Sequence, residues 1–239
     1  MAEQGVTLQR RLWADDVELP SLQALGLLAE TDARDDTVFG DIARSAAPGL
    51  STVRLEGAGL FTAGASGDLD PTMATKRGLL VPVTLAPLTG AAGEICYLFQ
   101  ATEATYRVQA AVGELCRADF SATGAGGQGG LVRGALLAVG QQSASGAGTA
   151  YNLGSVASGQ RLYAALHVLS GTGTLDVVIE SDDASGMLTP LTRITFAQVT
   201  GPAGQWASPI AGPITDTWWR AKWTITGGPW TFVVSMGIK

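Results

Sequence analysis

The stretch Glu114-Leu115-Cys116-Arg117-Ala118-Asp119-Phe120-Ser121-Ala122-Thr123 sets Leu115, Arg117 and Asp119 on one parity and Cys116, Ala118 and Phe120 on the other. It runs into Gly124-Ala125-Gly126-Gly127-Gln128-Gly129-Gly130, and Leu131 to Val139 follows as a second apolar run. Alternation at period two is the mark of a half-buried strand, and a glycine cluster between two such runs is the mark of a turn. The economical reading is a β-hairpin with a glycine tip. A Gly-x-Gly-x-x-Gly-like spacing here leads into a strand, not a helix, so a dinucleotide site fails its own structural context.

The same reading extends outward. Residues 51–61 alternate, with Val53, Leu55, Gly57, Gly59 and Phe61 on one face and Arg54 and Glu56 on the other. Leu79 to Ala86, Ile95 to Ala101 and Thr105 to Ala110 read as further strands, and 17–29 as a strand or short helix, with strand preferred. One helix is expected over 70–77, with Asp70 as N-cap, Pro71 as first helical residue and Gly78 closing it. Residues 140–149 are Gly/Ser/Ala-rich and uncharged, a linker composition. Past them lie candidate strands at 151–157, 161–170, 174–180, 191–199, 206–214, 217–226 and 230–238. Turns at roughly 8–12-residue spacing in such a series are the signature of a β-sandwich. The expectation is an all-β chain with one short helix: a β-sandwich or barrel domain over 1–140, a linker at 141–149, and a C-terminal β-sandwich over 150–239.

Composition narrows the function. The 239 residues are 46% hydrophobic and 15% charged, with 32 glycines and a net charge of −6. That is a globular chain, and an acidic one is not built to grip nucleic acid through its phosphates. The charge is uneven: residues 1–140 hold 16 acids and 10 bases, and residues 141–239 hold five of each. No apolar run is long enough to span a membrane as a helix, and Met1 to Arg11 lacks a signal-peptide core. Cys96 and Cys116 fit no metal-ligand spacing; spacing alone leaves buried thiols and a cross-strand disulfide both open.

Catalytic chemistry finds little support. His167 is the single histidine. It sits in a strand pattern without a nucleophile elbow, and reads as a packed strand residue. Glu180-Ser181-Asp182-Asp183 lacks the spaced ligands of a calcium loop and reads as a hairpin turn. No catalytic residue, metal site or cofactor is expected. The tryptophan-rich C-terminal part offers Trp218 and Trp219 as candidate surface or glycan contacts.

The run Asp32-Ala33-Arg34-Asp35-Asp36-Thr37-Val38-Phe39-Gly40-Asp41-Ile42-Ala43-Arg44, then Pro48-Gly49-Leu50 and the strand Thr52 to Gly57, resembles the major tail (tail tube) proteins of long, non-contractile-tailed bacteriophages. Pro82 to Pro87, Val112 to Leu115 and Leu131 to Gly134 fit the central strands of that family. The resemblance covers about 1–140. It implies a non-enzymatic virion protein, assembled in the host cytoplasm, whose homo-hexameric rings stack into a tube. DNA would pass through the lumen without specific binding, and the neighbours would be the other tail proteins: terminator, tape measure and tail tip. It implies that the segment around 31–50 orders on ring stacking. Phe39, Arg44, Pro48 and Leu50 are the resulting candidates for subunit contacts. Asp32, Asp35 and Asp36 are the candidates for an acidic lumen that repels phosphate. A different virion subunit (head decoration or minor tail protein) and a carbohydrate-binding β-sandwich module are the alternative readings.

Overall fold

The computed structural model describes residues 10–20, 22–39, 42–64, 68–127 and 130–239. The first half contains β1 (Arg11–Ala14), β2 (Val17–Glu18), β3 (Leu22–Asp35), β4 (Ala46–Leu60), α1 (Leu69–Lys76), β5 (Leu80–Ala86), β6 (Ile95–Gln109), β7 (Arg117–Gly124) and β8 (Val132–Gln142). The second contains β9 (Gly146–Ala147), β10 (Tyr151–Asn152), β11 (Arg161–Ser170), β12 (Gly173–Asp182), β13 (Leu191–Thr195), β14 (Ala203–Trp206), β15 (Ile210–Ala211), β16 (Trp218–Gly227) and β17 (Trp230–Ile238). The fold is all-β with one short helix, as the alternation predicts.

The expected hairpin over 114–139 does not form. β7 and β8 both pair antiparallel with β6, one after the other along the same edge. Arg117–Gly124 lies opposite Gln109–Ala101, and Val132–Ala135 lies opposite Leu98–Ile95. The chain therefore continues in one direction, and the glycine segment is an excursion between two collinear strands. Gly126, Gly127 and Gly130 take positive φ there, a conformation open to glycine. Alternation fixes which face a side chain occupies but not which strand lies alongside. β6 is likewise one strand where two were expected, its irregularity being a register shift between Glu103 and Thr105.

The helix begins one residue early, with Asp68 and not Asp70 at the N-cap, and Asp68 makes no side-chain cap. Thr62 does that work instead: its hydroxyl accepts the N–H of Leu69 at 3.0 Å and its carbonyl accepts that of Asp70 at 3.1 Å. The Asp70 carboxylate is left to accept the Tyr106 hydroxyl at 3.0 Å. Gly78 closes the helix at φ 74°.

One large sheet runs β14-β11-β17-β8-β6-β5-β1-β2, with β7, β4 and β3 branching from β6. A smaller sheet runs β10-β16-β12-β13. In the second half the two sheets enclose a core of Leu166, Val177, Ile179, Trp219, Trp230 and Phe232 among others. In the first half β3-β4-β7 closes over β5, β1 and α1 on Val53, Leu55, Met73, Val83, Phe99 and Phe120. A third cluster joins them: Trp13, Cys96, Leu98, Val132 and Leu136 pack with Tyr163 and Val233. β8 crosses residue 140 and pairs along β17 from Gly134↔Gly237 to Gln142↔Trp230, so one sheet serves both halves.

A buried polar chain stitches this seam. His167, with no exposed surface, places Nε2 at 2.8 Å from the Thr84 hydroxyl and Nδ1 at 2.8 Å from the Asp15 carbonyl. Thr84 Oγ1 is in turn 2.9 Å from Ser235 Oγ. The histidine is thus a packed strand residue whose two nitrogens are both satisfied.

Candidate assembly interface

The feature that the core does not explain is the β3–β4 ribbon. Its near half is ordinary sheet: Leu25, Leu27 and Val53, Leu55 face the core opposite β7. The β4–β7 pairing ends at Arg54↔Thr123, yet β3 and β4 pair on alone to Asp35↔Ala46. Beyond buried Val53 and its partner Ala29, six residues of β3 and seven of β4 at about 3.4 Å each make this arm roughly 20–24 Å long. Its side chains are exposed apart from half-buried Ala47 and Gly49. A two-stranded ribbon with no apolar face to bury is marginal by itself.

Local hydrogen bonds shape the arm. Asp35 Oδ1 accepts the Thr37 N–H at 3.0 Å, and the Thr37 hydroxyl accepts the Ser45 N–H at 3.0 Å. The Thr37 bonds hold the Asp35 carboxyl below its usual range. A bulge sets Asp32 against Gly49 and Leu50, and a Cβ on Gly49 would stand 2.9 Å from that of Asp32. Beyond these bonds the tip is apolar. Val38, Phe39, Ile42 and Leu50 are exposed, Phe39 and Ile42 completely so at 111% and 106%. Arg44, Pro48, Asp32, Asp35 and Asp36 are exposed as well. The structure brings the predicted contact residues and the predicted lumen acids onto one arm. Gly40 and Asp41 of the motif lie outside the described residues.

The second feature is the sheet beneath the arm. β3, β4, β7 and β6 are hydrogen-bonded in that order, all antiparallel. β3 pairs on one side only, with β4. β6 pairs with β5 as far as Thr102, so Glu103–Gln109 pairs on one side only, with β7. This four-stranded sheet therefore has two free edges among the described residues. Free edges are templates for further pairing. One face is covered by the core; the other is open. By register the open face carries Glu30, Arg54, Glu56, Asp119, Arg107 and Arg117, three carboxylates and three guanidinium groups. Small or polar residues, Ala24, Gly26, Ala58 and Ser121, line a shallow groove of about 660 Å³ between them, and Arg10 adds a fourth cation at its rim.

The remaining predicted residues fall elsewhere. Trp219 is fully buried and donates its indole N–H to Gly154 O at 2.8 Å; it is a core residue, so it presents no surface. Trp218, next along the pleat, is half-buried. Glu180 is buried between Arg220 (2.8 Å) and Lys222 (3.0 Å). Asp182 accepts the N–H groups of Ala184 (3.2 Å) and Thr189 (2.9 Å) in the β12–β13 turn. Both cysteines are free thiols, and burial pushes Cys96 up to about 12. Val112 to Leu115, which the resemblance placed in a central strand, are instead a loop between β6 and β7 in which Val112 and Leu115 are exposed; two apolar residues in a glycine-flanked turn were the available signal.

No family model and no curated protein matches this chain. Solved structures of tail tube and tail hub proteins do. The fold is similar to the tail of a gene transfer agent particle of C6 symmetry, at 13% identity over 52% of this chain and 96% of that one, TM-score 0.42. It is similar to the SPP1 tail tube, at 11% identity over 52% of this chain and 76% of that one, TM-score 0.41. The hub protein Dit of SPP1 matches over 96% of this chain and 99% of that one, at 12% identity and TM-score 0.38.

Proposed function

We propose that this protein is a non-enzymatic structural subunit of a phage tail tube, assembling into hexameric rings that stack and conduct the genome. The observation that carries the reading is the four-stranded sheet with one covered face, one open face that is polar but for Leu28, and two free edges among the described residues. Its strands alternate in direction, so β3 and β6 are antiparallel to each other. Rotation about a ring axis preserves direction, so β6 of one copy meets β3 of the next in antiparallel register. An even number of strands per copy makes that joint regular all the way round, and a closed barrel leaves no edge exposed.

In such a ring the open face lines the channel, because the other face is filled by the subunit's own core. Its three acids and four arginines, Arg10 included, give a lining of mixed sign in place of the acidic one expected from sequence. The acids in excess lie on the arm, Asp32, Asp35 and Asp36 among them. A lining of alternating sign and small side chains offers DNA no continuous cationic track, so passage without specific binding follows equally. Residues 1–140 build the tube in this scheme and 150–239 cover its outside, with other tail proteins meeting the tube at its ends.

Negative-stain microscopy of the purified protein tests this. Tubes of stacked six-fold rings are expected. Trimers, or single closed rings that never extend, would overturn it in favour of another virion subunit.

A further inference from the structure

We propose that α1 and the Asp15–Asp16 turn form a strut that couples the free half of β6 to the seam with the second half. Each end of α1 is tied to a different part of the molecule. Near its start the Asp70 carboxylate accepts the Tyr106 hydroxyl at 3.0 Å. Tyr106 lies in Glu103–Gln109, the stretch of β6 that pairs on one side only. In its last turn Lys76 Nζ forms ion pairs with Asp15 and, at 2.7 Å, with Asp16. Leu69 and Met73 seat the helix in the first core between these ties.

The turn joins β1 to β2, and Asp15 is held from several sides. Its backbone takes a positive φ of 55°, a conformation that Asp and Asn adopt more readily than most residues. Its N–H donates to the Pro82 carbonyl of β5 at 2.9 Å, and its own carbonyl accepts from His167 Nδ1 of β11 at 2.8 Å. A Cβ on Gly204 of β14 would stand 2.6 Å from the Asp15 Cα, so the backbone of that strand presses directly on the turn. Arg11 and Glu18, bonded twice at 2.7 Å, brace β1 against β2.

Coupling of this kind runs through packed and hydrogen-bonded groups in series. A helix displaced at Tyr106 carries Lys76 with it, Lys76 draws on Asp15, and Asp15 shifts the acceptor of His167. Two carboxylates on one ammonium also leave the turn with one negative charge in excess beside the fully buried imidazole. The other neighbours of the ring, Thr84, Gly204, Val233 and Ser235 on β5, β14 and β17, are uncharged. In a tube the free half of β6 is where the next copy joins, so joining is felt at the outer half. That consequence rests on the tail-subunit reading; the strut itself does not.

The test is read on the unassembled full chain, where His167, the single histidine, gives one imidazole signal in NMR. Lys76→Met is expected to raise the proton affinity of the imidazole about threefold to tenfold, and Asp15→Asn, which suits the same φ, to lower it. Lys76→Arg is expected to titrate as wild type. A purely structural loss would not move the first two variants in opposite directions. Tyr106→Phe probes the other end: it is expected to quicken amide exchange at Asp15 severalfold, and to add nothing in the Lys76→Met background. Equal effects of Tyr106→Phe in both backgrounds, or a His167 titration indifferent to Lys76→Met, would overturn the strut. Wild-type protein that forms neither rings nor tubes would overturn the tail-subunit reading, while the strut still stands or falls on these measurements.

Discussion

His167 has one tautomer that satisfies its surroundings. A carbonyl only accepts, so Nδ1–H donates to Asp15 O, and Nε2 must accept from Thr84. The Thr84 oxygen is then free to accept from Ser235. Every group in the chain is paired only while the imidazole is neutral, and burial lowers its pKa to about 4 from 6.5. Because the folded value is depressed, the unfolded chain binds the extra proton. The stability tied to neutral His167 is complete above pH 6.5 and drains away as pH falls towards 4. The whole span is worth about 3 kcal/mol. Urea unfolding of wild type and His167→Leu across pH 4–7 is expected to show a flatter profile in the variant by that amount, with lower stability at pH 7 where Thr84 and Asp15 lose their partner. Parallel profiles would count against the assignment. Gly57 makes a second point. A Cβ there would lie 2.4 Å from the Phe120 ring across the β4–β7 pair, so Gly57→Ala is expected to cost about 1–3 kcal/mol in thermal unfolding. That glycine was legible as part of a resemblance; the reason for it, an aromatic ring from sixty residues away lying over the strand, was not.

At the scale of elements, strands were legible wherever one face is wet and the other dry. Val53, Leu55 and Phe120 declare their face in the sequence because burial selects them. Past Val53 both faces of the ribbon are in water and the pattern lapses, which is why 31–50 showed no strand alternation. Partners were less legible than strands. β7 and β8 satisfy the hairpin pattern while lying end to end on β6, since a single sequence records the pleat and not the neighbour. The arm's isolation gives a prediction. Thr31 and Ser51 are register partners whose hydroxyls are 3.0 Å apart, so replacing 32–50 with Asn-Gly leaves a two-residue hairpin turn of favoured type. The shortened protein is expected to unfold within about 1 kcal/mol of wild type, as for changes outside any core, and to form no tubes. A large loss of stability would mean that the arm packs on its own subunit after all.

Over the whole molecule, composition told of two regions, one acidic and one neutral and rich in tryptophan, and the apolar side chains gather in three clusters, one of which draws on both halves. What composition could not convey is that one sheet passes through both. β8 belongs to the first half by sequence and pairs with β6, then with β17, the last strand of the chain. Trp13 and Leu136 pack against Tyr163 and Val233 across the same seam, and the His167 chain binds it from within. The segment 141–149 thus lies where β8 runs on to pair with β17. Its folding consequence is specific. Cutting the chain within that segment would strip β17 from β8 and bare Val132, Leu136 and Ser235, leaving a long apolar edge on each piece. Full-length protein is expected to unfold in a single calorimetric transition whose van't Hoff and calorimetric enthalpies agree. Residues 1–149 expressed alone are expected to be insoluble or to bind a hydrophobic dye, and to regain solubility on co-expression with 150–239. Two resolved transitions, or a soluble, cooperatively folding 1–149, would show instead that the shared sheet is a weak contact between independent domains.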